Sequence, residues 1–63
     1  MYSEKRQSQL IGFLREELNV SDSFILLALR LRKYKLEPIS MILWQYGLIT
    51  LRQLEKIFDW LEH

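Results

Sequence analysis

Apolar residues recur at helical spacing in four separate stretches of the chain. In the first, Leu10, Phe13, Leu14 and Leu18 fall on one stripe, with Lys5, Arg6, Arg15 and Glu16 largely off it. This predicts an amphipathic helix that begins after Ser3 and runs to about Asn19. The second stretch, from a cap at Ser21 to about Lys35, is apolar on two sides. Phe24, Leu27, Ala28 and Leu31 form one stripe, and Ile25, Leu26 and Leu29 form another on the back. The third is short, Pro38 to Tyr46, with Ile39, Ile42, Leu43 and Tyr46 sharing a face. The fourth, Leu51 to about Leu61, gathers Leu51, Leu54, Ile57, Phe58 and Leu61 within roughly a third of the helical circle. No strand-like alternation competes. The pattern predicts an all-α fold, four short helices as two packed helical hairpins, in a single domain over residues 1–63.

The signals between the helices agree with this division. Gly47 can adopt the left-handed conformation that closes a helix. Thr50 and Gln53 have capping-box spacing, and Ile49 and Leu54 occupy the two staple positions around that cap. Ser21, with Val20 and Ile25, repeats the arrangement at the start of the second helix. Pro38 has a fixed dihedral and no amide proton, which suits the first turn of the third helix. A weak internal repeat runs at an offset of 29. Leu14, Val20, Ser21, Ile25, Ala28 and Leu29 match Leu43, Ile49, Thr50, Leu54, Ile57 and Phe58. One helical hairpin cannot cover its own apolar stripe, and a second one can.

Some apolar residues face away from these stripes. Trp60 points ~120° from the centre of its helix's cluster, and Trp44 lies ~140° from the third helix's apolar face, on the side of Met41. A helix that is apolar all round is normally covered on all sides, and a four-helix domain this small offers little cover. Aromatic and Met side chains are enriched at interface centres. Ile25, Leu26, Leu29, Trp44 and Trp60 are therefore expected to contribute to an interface, with a homodimer formed through the second face of helix 2. The competing account makes helix 2 central and lays the tryptophans flat against neighbouring loops.

Composition narrows the chemistry. Sixty-three residues bury only about 60% of the unfolded surface, so stability without a partner is marginal. There is no cysteine, so there is neither a disulfide nor a thiolate. The one histidine, His63, is terminal, and the serines have no mid-chain histidine to activate them. Glu16 and Glu17 are adjacent on a helix and diverge. Gly12 and Gly47 are isolated, so no phosphate loop exists. The chain is expected not to be an enzyme and to need no cofactor or metal. The net charge of +1 is unevenly placed. Arg30, Arg32, Lys33 and Lys35 lie within six residues, flanked on both sides by segments with an excess of acid. The charges fan around a helix end, where they suit the negative pole of the helix dipole. The alternative is an anion site for nucleic acid or nucleotide. No apolar run approaches the ~20 residues of a membrane span, and the first residues do not resemble a signal peptide, so a cytoplasmic location is expected.

The string Met41-Ile42-Leu43-Trp44-Gln45-Tyr46-Gly47-Leu48-Ile49-Thr50, followed by Gln53-Leu54 and Ile57-Phe58-Asp59-Trp60-Leu61, resembles a family of short uncharacterised proteins from cyanobacteria. Phe13-Leu14-Arg15-Glu16-Glu17-Leu18 and Ala28-Leu29 are similar to its N-terminal half, so the likeness covers roughly residues 9 to 62. It implies a bacterial, soluble, stand-alone domain and supplies no catalytic residues. The pattern "Leu, then Gly-Leu-Ile-Thr, then Gln-Leu" also resembles, more weakly, the helical N-terminal modules of type II secretion and pilus ATPases. Some of those bind cyclic di-GMP through two Arg-Leu-Gly starts. The corresponding positions here read Gln9-Leu10-Ile11 and Pro38-Ile39-Ser40, without the arginine or the glycine. Taken together, the sequence predicts a protein–protein interaction or regulatory adaptor module, homo-oligomeric or docked on an unidentified protein partner.

Overall fold

The structure, a computed structural model, describes residues 4–62, and Ser3 and His63 lie outside the described residues. It is all-α, with α1 (Glu4–Glu16), α2 (Asp22–Arg32), α3 (Ile39–Gln45) and α4 (Leu51–Leu61), and no strand among the described residues. The short α3 packs its backbone against both α2 and α4. Four of its seven residues, Ile39, Ser40, Ile42 and Leu43, are buried. Helix α1 is tied to the rest mainly by side chains. Arg32 donates to the Gln7 side-chain oxygen, Arg6 donates to the Leu61 carbonyl at 3.1 Å, and Phe13 stacks on Trp60.

Helices α1 and α2 end earlier than the apolar pattern suggests and α3 is a residue shorter at each end, while α4 keeps its expected bounds; backbone hydrogen bonding explains the differences. After Glu16, Asn19 turns into the left-handed region (φ +56°), and the Val20 amide reaches back to the Leu14 carbonyl at 2.9 Å. Asparagine tolerates that conformation better than most residues. Helix α2 tightens at Lys33, whose amide bonds to the Arg30 carbonyl at 3.2 Å, and the Tyr34 and Lys35 amides both bond to the Leu31 carbonyl, so these residues fall beyond the helix. Pro38 is the N-cap of α3 rather than its first helical residue. Its backbone is extended, and its carbonyl accepts from Met41 and Ile42.

The turn between α3 and α4 has the form its residues predict. Gly47 is left-handed (φ +70°), its amide bonds to the Trp44 carbonyl at 3.0 Å, and the Leu48 amide bonds to the Leu43 carbonyl at 2.8 Å. These are the two bonds of a Schellman closure. The capping box is complete: Thr50 Oγ1 accepts from the Gln53 amide and Gln53 Oε1 accepts from the Thr50 amide. Gln53 also has a second task, because its Nε2 donates to the Leu18 carbonyl in the turn after α1, 3.1 Å away. One side chain thus fixes the start of α4 and joins it to α1. Gln53→Ala is expected to cost about 1–2 kcal/mol. Gln53→Glu keeps the cap acceptor but has no donor for Leu18, so it should recover only part of that loss. Equal urea midpoints for Gln53→Glu and the wild type would show that the Leu18 bond contributes nothing.

Burial follows the 29-residue repeat closely. Leu14 and Leu43, Val20 and Ile49, Ile25 and Leu54, and Ala28 and Ile57 are all buried, and Ser21 and Thr50 are both N-caps. The last pair departs, with Leu29 half-buried and Phe58 exposed. The turns also differ: the left-handed residue stands two positions before the cap at Asn19 and three before it at Gly47.

Two buried arcs are rotated from their expected directions. On α2 the core side is Ile25 and Ala28, one residue from each predicted stripe. On α4 it is Leu54 and Ile57, while Leu51 and Phe58 face out. Helix α1 lies against the Gln53 and Trp60 side of α4, and this turns the covered arc toward that side.

Candidate docking surface

A concave, mostly apolar groove lies between α1 and α2. Ile11 and Arg15, one turn apart, form the α1 wall. Asp22, Ile25, Leu26 and Leu29 form the α2 wall. The space between them is about 340 Å³. Ser21 fixes where α2 begins, its Oγ accepting from the Phe24 amide at 3.2 Å, so the register of the α2 wall is set at that cap. Arg15 Nε donates to Asp22 Oδ1 at 2.8 Å across one end of the groove. Both side chains are more than half exposed, so the pair contributes at most about 1 kcal/mol to the fold.

The five residues expected at an interface divide. Leu26 is exposed, at 64% of its full accessible area, and Trp44 retains 42%. Leu29 is half-buried against the core at the groove's edge. Ile25 is a correction: at 2% exposure it belongs to the core, because the buried arc of α2 passes through it and the groove touches only its edge. Trp60 is half-buried. Its indole stacks on Phe13 with ring centres 5.2 Å apart and planes 19° from parallel, and the Arg6 guanidinium lies 4.7 Å from the ring centre. It fastens α1 to α4 within one chain.

The basic end of α2 does not form one patch. Arg32 is half-buried and bonded to Gln7, and Lys35 lies over the Tyr46 ring at 5.5 Å. Arg30 and Lys33 are exposed. An anion approaching the cluster would therefore meet two exposed charges, while the other two are already engaged by their own chain.

A second cavity, about 310 Å³, is lined by Leu10, Arg32, Leu36, Pro38, Ser40 and Leu61. It lies where the two Gln9-Leu10-Ile11 and Pro38-Ile39-Ser40 starts meet. Leu10 is a core residue there, and among the described residues the charged group in the lining is Arg32, already bonded to Gln7. Among the described residues, no group of three His, Cys, Asp or Glu side chains is placed to hold a metal ion.

A family model described as a protein of unknown function, DUF2949, matches residues 7–62. The chain belongs to the DUF2949 family. The matched span includes all of α2, α3 and α4 and most of α1, so the groove and the aromatic stack both lie inside the family domain. Neither a curated protein nor a solved structure matches this DUF2949 chain. Among the described residues, no helix is long and apolar enough to cross a membrane.

Sequence reasoning missed two features of this surface. Phe24 and Leu27, expected on a buried stripe, are about two-fifths exposed on the flank of α2 away from the groove. Arg15, which its spacing puts on the polar face of α1, forms the charged rim of the groove. Its seven-residue separation from Asp22, across a turn with no room for a longer loop, was the available signal.

Proposed function

We propose that this chain is a small helical protein-interaction module that self-associates and works as an adaptor in the bacterial cytosol without catalysing a reaction. The observation that carries the reading is the exposure of Leu26 beside a preformed apolar groove, on a helix whose other side is already spent on the core. An apolar groove flanked by a charged rim is the surface on which amphipathic helices dock. Trp44 offers a second exposed anchor of a residue type favoured at interface centres. The likeness to cyanobacterial proteins is read as the chain's biological setting. The likeness to helical modules of secretion ATPases is read as a shared way of using a small helical unit to hold proteins together. Both are part of the proposal.

Leu26→Ala and Trp44→Ala test it. Each removes exposed surface, so the thermal midpoint and helicity should stay close to wild type, within about 0.5 kcal/mol in stability. Self-association, followed by sedimentation from micromolar to near-millimolar concentration, should weaken in at least one of them. It should change far less with salt than phosphate binding by the basic end, which would fall steeply, because apolar burial is not screened. Wild type and both variants sedimenting alike would sink the reading.

A further inference from the structure

The exposed side of α2 carries a seam of its own. Asp22, Leu26, Leu29 and Lys33 are separated by four, three and four residues. At about 100° per residue they fall within roughly 60° of one another, on the side that borders the groove. This is the spacing of a coiled-coil seam, with two leucines at the centre, an acid at the N-terminal end and a base at the C-terminal end. Such a strip is complementary to itself when reversed. A two-fold axis between Leu26 and Leu29 places Leu26 of one copy opposite Leu29 of the other, and Asp22 of one opposite Lys33 of the other, twice over.

From this self-complementarity we infer that the occupant of the groove is a second copy of the chain, with the two α2 helices antiparallel. The inference deepens the interaction-module reading and rests on it. Charge is the argument for a second copy over an unrelated helix. Both charged ends lie on the same strip, Lys33 is exposed, and Asp22 commits Oδ1 to Arg15 while its side chain remains 68% exposed. A carboxylate has room for a second donor. Antiparallel α2 helices also bring each acidic helix start beside a basic helix end, which favours the pairing of their dipoles. The net charge of +1 per copy adds little repulsion. Leu26 of each copy is then the knob that enters the space beside Ile11 of the other, so one residue supplies both the projection and part of the hole.

The test is a charge exchange in the full chain, read by sedimentation equilibrium. Asp22→Lys alone sets two Lys–Lys pairs in the dimer, and Lys33→Glu alone sets two Asp–Glu pairs. Each should raise the dimer Kd by about tenfold or more. Mixing the two variants restores both opposite-charge pairs, so a heterodimer should form with a Kd within about threefold of wild type. Leu26→Asp should raise the Kd by about a hundredfold. It guards against misreading Asp22→Lys, which also loses the Arg15 pair, and circular dichroism checks that every variant stays helical. A wild type that never exceeds a monomer would overturn this inference and the self-association in the reading above. A wild-type dimer unaffected by Leu26→Asp, or one whose charge variants do not complement on mixing, would overturn the antiparallel α2 seam alone.

Discussion

Leu43→Ala is expected to leave the chain unfolded, or nearly so, at room temperature. Leu43 has no accessible surface, and it stands on the helix that touches both α2 and α4. Removing a fully buried leucine side chain costs about 2–5 kcal/mol, the upper part of the range applying where the surroundings cannot collapse into the space. Its neighbours Ile39 and Ile42 are equally buried on the same short helix, and α3 is held from two sides, so relaxation is limited. A domain of this length has about 3–9 kcal/mol of stability in all. The substitution therefore removes about half or more of what is available. Urea unfolding followed by circular dichroism measures the loss. A midpoint equal to wild type would mean that α3 is not the centre of this fold. Trp44→Ala, one residue along the same helix and pointing outward, is the matched control.

Much of the fold could be read from the chain because its turns are specified by local chemistry. Ser21, Gly47, Thr50 and Gln53 act through backbone groups within a few residues of themselves, so their roles follow from spacing alone. The buried pairs of the 29-residue repeat were legible for the same reason: each stands at a fixed distance from a cap. What could not be read was the direction of each apolar arc where two were available. On α2, periodicity supports the Phe24 stripe and the Ile25 stripe almost equally. The choice of Ile25 and Ala28 is made by where α1 and α3 lie, which no local pattern encodes. The same holds for α4, where Leu51 and Phe58 continue the apolar stripe yet face solvent. The docking surface was therefore half legible. Leu26 and Leu29 were placed on an outward face, while Arg15 and Ile11, which complete the groove, belong to another helix.

Trp60→Ala should destabilise the folded chain rather than weaken association between copies. The indole is held by two residues of α1 that are seven positions apart, about two helical turns: Arg6 near the start and Phe13 further along. Arg6 also donates to the Leu61 carbonyl, one of the groups left without an intrahelical partner at the end of α4, where a cation is favoured. Loss of the indole removes the Phe13 stack, worth about 0.5–1.5 kcal/mol beyond its buried area, and the Arg6 contact, worth about 0.5–1 kcal/mol. With the lost apolar contact the total should reach about 2–4 kcal/mol. Because α1 meets the rest of the molecule mostly through side chains, the loss should fall on α1 first, seen as faster hydrogen exchange in residues 6–16 than in α3. Trp60→Phe keeps a ring opposite Phe13 and should restore part of the stability. A double-mutant cycle of Phe13→Ala with Trp60→Ala isolates the stack, with an expected coupling of about 0.5–1.5 kcal/mol. An interface role for Trp60 requires the reverse outcome: wild-type stability, no coupling to Phe13 and a weakened dimer. With Trp60 used in this way, Leu26 and Trp44 are the exposed members of the five expected interface residues, and the two tryptophans separate into one that packs within the protomer and one that faces its surroundings.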